Sequence, residues 1–123
     1  MILSKIQTLL NAEFISGQDA NNLDIKFAKA SDLMSDVLAF SKPYSGRNTI
    51  LITGLTNKQV VRTCEIAGVA VIIFVRGKYP TEETVKLAEQ CDIPLLATKM
   101  KMFEACGILY TNGVHSASPN DDE

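Results

Sequence analysis

Apolar positions in the first ten residues recur with helical spacing. Ile2, Ile6, Leu9 and Leu10 share one face, with Leu3 beside it, so the pattern predicts a helix over residues 2–10. Residues 13–16 read as a short strand closed by Gly17, and the GQDANN stretch that follows is turn chemistry throughout. Residues 23–30 alternate in part and suit a strand. Ser31 and Asp32 come next as candidate N-caps for a helix over about 32–41, which carries Leu33, Met34, Val37, Leu38 and Phe40. Lys42-Pro43 stops that helix ahead of a loop reading YSGRN.

From residue 49 the pattern becomes regular. TILIT at 49–53 is a continuous β-branched apolar run, the mark of a strand covered on both faces. Gly54 breaks it, and Thr56 or Asn57 caps a helix running to about Ala67. Gly68 is placed to end that helix in the left-handed region. VAVIIFV at 69–75 is the strongest strand in the chain. Arg76-Gly77-Lys78 turns, and Thr81-Glu82-Glu83-Thr84 opens a helix with two glutamates at the positive end of its dipole. Residues 93–97 form another apolar strand, with Pro94 near its start, where a missing N–H is tolerated. Thr98 leads into a last helix carrying Met102, Phe103, Cys106, Leu109 and Tyr110, ended by Asn112-Gly113. One corner is used twice: Val61 to Val69 lines up with Val85 to Ile93, each the end of a helix, a tight turn and a strand entry.

Alternating strands and helices imply right-handed crossovers. The expected fold is α/β: a compact three-layer domain with a mostly parallel sheet of about five strands and helices on both faces. Its 123 residues make one domain, expected to span 1–114 with a flexible tail at 115–123. Twelve basic side chains against fourteen acidic ones leave no basic surplus for gripping a phosphate backbone, so no nucleic-acid partner is expected. No apolar run is long enough for a bilayer, so no membrane partner is expected either, and the protein is expected to be cytoplasmic. Cys64, Cys91 and Cys106 are widely spaced and odd in number, which makes neither a disulfide framework nor a zinc site. His115 is the only histidine. No metal and no cofactor are expected.

In a parallel sheet, ligands meet the crevice beyond the carboxyl ends of the strands. That rule collects Ser31 and Asp32 after the first parallel strand, and Thr53, Gly54, Thr56 and Asn57 after the second. Arg76, Gly77 and Lys78 follow the third, and Thr98 and Lys99 the fourth. All are small, hydroxylated or basic, and several open a helix, where free N–H groups suit a phosphate or carboxylate. The same residues also serve as ordinary caps and turns. An anionic small molecule at this edge and plain capping duty are the two readings left open. Asp32 and Asp36, four apart, suit a solvated helix start better than a metal or an acid–base pair. Nucleotide signatures of the P-loop and dinucleotide-binding kinds are absent, as is the GxSxG elbow. Surplus apolar residues on the helices at 32–41 and 98–111 suggest a homodimer.

Residues 30–40, Ala-Ser-Asp-Leu-Met-Ser-Asp-Val-Leu-Ala-Phe, resemble the ASDLLSDVMA-type core of the DRTGG domain family. LITGLTNKQVVRT at 51–63, FVRGK at 74–78 with Pro80, and MFEACGILY at 102–110 continue the likeness in order and spacing, as far as Gly113. The naming Asp-Arg-Thr-Gly-Gly motif is not kept. The matching region, 23–30, reads LDIKFAKA, with Asp24 retained at most. The resemblance implies a fold like the N-terminal domains of HPr kinase/phosphatase and of Mur ligases. It also implies a bacterial regulatory domain of the kind found in phosphotransacetylases and CBS-domain pyrophosphatases, away from their catalytic centres. On that basis the chain is expected to be a non-catalytic regulatory or assembly module that binds a partner protein. The alternative is a sensor for a nucleotide or phosphorylated metabolite. A small phosphotransfer enzyme is the weakest reading, and a kinase label fails for want of a P-loop.

Overall fold

The sheet forms where apolar runs can be covered on both sides. In the computed structural model, which describes residues 1–39 and 48–116, the elements follow in the order α1 (Leu3–Leu9), β1 (Glu13–Ser16), β2 (Phe27–Ala30), α2 (Met34–Ala39), β3 (Thr49–Thr53), α3 (Lys58–Ala67), β4 (Val71–Phe74), α4 (Glu82–Gln90), β5 (Leu95–Ala97) and α5 (Met102–Thr111). A 3-10 turn, Gln18–Ala20, follows β1. Phe40, the Lys42-Pro43 stop, most of the loop after it and tail residues 117–123 lie outside the described residues.

The five strands lie in the order β1-β5-β4-β3-β2. β2 through β5 run parallel, but β1 pairs antiparallel with β5, so the sheet is mixed rather than mostly parallel. The rule that makes neighbouring strands parallel acts through short crossovers. No crossover joins β1 to β5, because the two are about eighty residues apart in sequence. β1 therefore takes the direction that α1 delivers it in.

β2 to β5 advance one step at a time across the sheet, so crossovers of one hand put α2, α3 and α4 on the same face. α2 packs on α3 and α3 on α4, while α1 and α5 meet on the other face. Each central strand feeds both layers by alternation. Ile50, Ile52, Val71, Ile73 and Leu96 join Leu3, Ile6 and Leu109 in one core. Leu51, Ile72, Phe74 and Leu95 join Val60, Val61, Cys64 and Ala88 in the other. This explains why β3 and β4 read as unbroken apolar runs: every one of their residues is buried.

The helix ends follow the expected chemistry. Asn57, not Thr56, caps α3, its Oδ1 accepting from Val60 N at 3.3 Å. Gly68 ends α3 at φ +76°. Thr81 Oγ1 accepts from Thr84 N at 3.3 Å to cap α4. Of the expected tail, His115 bridges Phe27 at the outer edge of β2, and Ala28 N donates to its carbonyl at 3.2 Å. Among the described residues, no helix is long and apolar enough to cross a membrane.

Candidate functional site at the carboxyl rim

Because β2 to β5 are parallel, the loops that leave them collect at one rim. Thr53 and Gly54 end β3 in the buried interior, with Asp32 next to them on the exposed side. Asp32 does not cap its own helix. Its Oδ1 crosses to β3 and accepts from Gly54 N at 2.7 Å and from Thr53 Oγ1 at 3.0 Å. Thr53 Oγ1 in turn accepts from Leu55 N at 3.2 Å. Ser31 makes a local turn instead, its Oγ accepting from Leu33 N at 3.0 Å. The free N–H expected at the β3 exit is thus already occupied by a carboxylate.

The β4 exit is a tight turn in which Lys78 N donates to Val75 O at 3.3 Å. Both central residues are left-handed, Arg76 at φ +63° and Gly77 at φ +68°. Glycine adopts that conformation without penalty, whereas arginine pays roughly 1–2 kcal/mol in steric strain. The turn sends the exposed Arg76 guanidinium back across the rim onto Gly54, so closely that a methyl group there would lie 2.5 Å from Nη2. The rest of the turn is stitched to the β5 exit: Arg76 N donates to Met100 O at 2.8 Å and Gly77 N to Thr98 O at 3.0 Å.

Thr98 does not open α5. Its hydroxyl is buried, donates to Leu10 O at 2.6 Å and accepts from Met100 N at 3.2 Å, fixing the rim to the end of α1. Lys99 is exposed, with its stem alongside Gly77. The structure therefore brings Asp32, Thr53, Gly54 and Arg76 into one cluster, and Gly77, Thr98 and Lys99 into a second that adjoins it through the Arg76-Gly77 turn. Lys78 projects outward, and Asn57 is spent on its cap. Among the described residues no carboxylate pairs with Arg76, Lys78 or Lys99. Among the described residues no group of three ligating side chains converges, around Asp32 and Asp36 or elsewhere.

Two rim residues escaped the sequence reading. The antiparallel run of β1 sets Glu13 opposite Ala97, at the carboxyl end of β5. There it accepts a hydrogen bond from the half-exposed Tyr79 hydroxyl, and this bond raises the phenol's pKa above its ordinary value. Strand direction was the missing signal.

No family model matches the sequence, and no curated protein matches it. A solved structure does: the CBS and DRTGG domains of the regulatory region of Clostridium perfringens pyrophosphatase, complexed with an activator, diadenosine tetraphosphate. It superposes with a TM-score of 0.70 at 20% identity, over 88% of this chain. The fold is DRTGG-like. This chain spans 45% of that one, so a single DRTGG-like unit is matched to under half of a larger regulatory region. Residues 23–30, the region that the sequence resemblance sets against the naming motif, enter the sheet from its amino edge and run through β2. Asp24 there bridges Ile2 and pairs with the Met1 amine at 3.0 Å, far from the rim cluster.

Proposed function

We propose that this DRTGG-like domain is a non-catalytic regulatory module that senses an anionic small molecule, a nucleotide or phosphorylated metabolite, at the carboxyl rim. The functional unit is residues 1–114. One observation carries the reading. Arg76 is held in a strained conformation that aims its guanidinium over Gly54, exposed and without a carboxylate partner among the described residues, with Lys99 alongside the neighbouring Gly77. Strain of that kind persists where the surroundings enforce it, and guanidinium is the side chain that grips phosphate in bidentate fashion. The matched pyrophosphatase region is regulatory and complexed with a nucleotide activator, which supports the same class of role. No catalytic step is assigned to the rim: the Thr53 hydroxyl donates to Asp32, but it is fully buried and the same carboxylate oxygen is held by the Gly54 amide.

Inorganic pyrophosphate, ATP and diadenosine tetraphosphate are the probes. A probe at a hundredfold over its dissociation constant should add about 2.7 kcal/mol of stability. Arg76→Ala should weaken binding at least about tenfold, the value of a charge-assisted contact. Gly54→Ala should do the same by displacing the guanidinium. Its new methyl meets the far end of a flexible side chain, so the melting temperature should stay within a few degrees of the wild type. No saturable binding by any probe, or binding that both substitutions leave intact, overturns the reading.

A second reading is an assembly role, as a homodimer or against a partner protein, and the outer face of α5 favours it. Phe103 and Tyr110 are 85% and 71% exposed there, and beyond the helix's own backbone nothing among the described residues stands within 4 Å of where a Gly107 side chain would go. Two aromatics around an open glycine suit close packing by another helix, a second copy of this chain in the first instance. Light scattering at low micromolar concentration should give a dimer that Phe103→Glu converts to a monomer. A wild-type monomer removes the homodimer and leaves this face to a partner protein.

A further inference from the structure

The opposite edge of the sheet carries charge of the other sign. α3 and α4 both end there, at Gly68 and Cys91, with the negative ends of their dipoles turned toward solvent. Helices usually place cations in that last turn. Neither does: each has no basic residue in its last turn and carries an acid instead, Glu65 in α3 and Glu89 in α4. Asp92 follows immediately, in left-handed backbone at φ +57°, and Asp19 faces it from the 3-10 turn after β1.

These four carboxylates line two hollows of about 340 and 450 Å³ that share Ala20, Asp92, Ile93 and Pro94 and so form one groove. Among the described residues no basic side chain lines either hollow. The blind side of the first hollow holds Ser16, 7% exposed, whose hydroxyl has no hydrogen-bond partner among the described residues. The β-bulge between Phe14 and Ser16 sets Ser16 opposite Leu95, whose side chain packs in the α4-facing core, so its side chain turns toward Ala88 of α4 and into the hollow. A buried hydroxyl left unsatisfied is costly and rare, and it marks a place where a donor or acceptor belongs.

We propose that this amino-edge groove binds a linear aliphatic polyamine. The carboxylates do not converge on a point, since no group of three ligating side chains among the described residues can hold a metal ion. They are spread along a floor of Ala20, Ile93 and Pro94. A cation that alternates ammonium groups with short methylene stretches suits carboxylates strung along an apolar floor. Each ammonium meets a carboxylate or a helix C-terminus, and the methylenes lie on the apolar floor. A terminal N–H is donated to Ser16 Oγ. The site is separate from the carboxyl rim and goes beyond the anion reading.

Calorimetric titration with spermidine, putrescine, Mg²⁺ and tetralysine, in about 0.15 M salt to screen loose surface attraction, tests the assignment. Spermidine should bind saturably, at least tenfold more tightly than putrescine. The double substitution Glu89→Gln with Asp92→Asn should cost at least tenfold. Asparagine tolerates the left-handed backbone that Asp92 occupies, so the fold is preserved. Ser16→Ala should weaken spermidine at least threefold, and Arg76→Ala should leave it unchanged. Several outcomes overturn the proposal: no saturable spermidine binding, Mg²⁺ or tetralysine binding more tightly than spermidine, or spermidine affinity that the Glu89→Gln/Asp92→Asn double variant or Ser16→Ala leaves intact. Tighter spermidine binding in Arg76→Ala overturns it equally, because removing a rim cation helps a polycation only where the polycation sits at the rim.

Discussion

Gly17→Ala should lower the unfolding free energy by about 3 kcal/mol or more, read as a shift of the urea midpoint. Two independent costs combine. Gly17 sits at φ +77°, where any Cβ crowds the following carbonyl for roughly 1–2 kcal/mol. The new methyl would also stand 2.7 Å from Pro94 Cα and 2.8 Å from Pro94 Cβ. That obstacle is backbone and a closed ring, so no rotamer change relieves it, and forced shifts in packed regions cost roughly 1–3 kcal/mol. Gly113 is the matched control, at φ +97° with nothing within 4 Å of the added atom. Its alanine variant should show the backbone cost alone. Equal losses at the two positions would mean that the Gly17–Pro94 approach is not tight in solution. The stakes are functional as well as structural. Gly17 closes β1, the strand that sets Glu13 at the rim and Ser16 in the acidic groove.

The parts of the fold that are legible in the sequence are those governed by local rules. TILIT and VAVIIFV announce strands covered on both faces, because such runs have no other stable use. Asn57, Gly68 and Thr81 mark helix ends, because the groups they satisfy lie within four residues. The regular alternation from residue 49 onward then dictates parallel neighbours through short crossovers. β1 escapes that logic. Four residues with no crossover to the neighbour carry no information about direction, and its antiparallel pairing rests on contacts about eighty residues away.

The rim was legible as a place and not as a network. Parallel strands gather Ser31, Gly54, Arg76 and Thr98 at one end whatever their side chains do. The pairings depend on tertiary contacts that no spacing encodes. Asp32 seals the Gly54 amide instead of capping α2, and Thr98 reaches Leu10 instead of opening α5. The result shifts weight from backbone N–H groups to the Arg76 guanidinium as the anion's expected partner. The amino-edge acids were visible only as isolated letters. Their meaning appears once two helix C-termini are seen to deliver Glu65, Glu89 and Asp92 to the same groove.

Raising the pH should destabilise the protein through a thiol. Cys64 is fully buried between α3 and the sheet, and burial pushes its pKa up to about 12, against a smaller pull downward from the charge of Lys29. An unfolded cysteine titrates near 9.0. Below that pH both states hold the proton and the stability is intact. Between 9 and 12 only the unfolded chain gives it up, so stability falls by about 1.4 kcal/mol per pH unit. At pH 11 the loss is roughly 2–3 kcal/mol. Burial also raises the Cys106 thiol, which acts in the same direction. Lys29 opposes them: desolvation lowers its pKa, so the folded state sheds that proton first and gains some stability on the way up. Cys64→Ala separates the terms. Near neutral pH it should be less stable than the wild type by about 1 kcal/mol, the cost of a small cavity. Above pH 9 that gap should close, and near pH 10 the variant should become the more stable of the two. A gap that stays constant from pH 7 to 11 would place the Cys64 sulfur within reach of water, against the packing of α3 on β3 and β4.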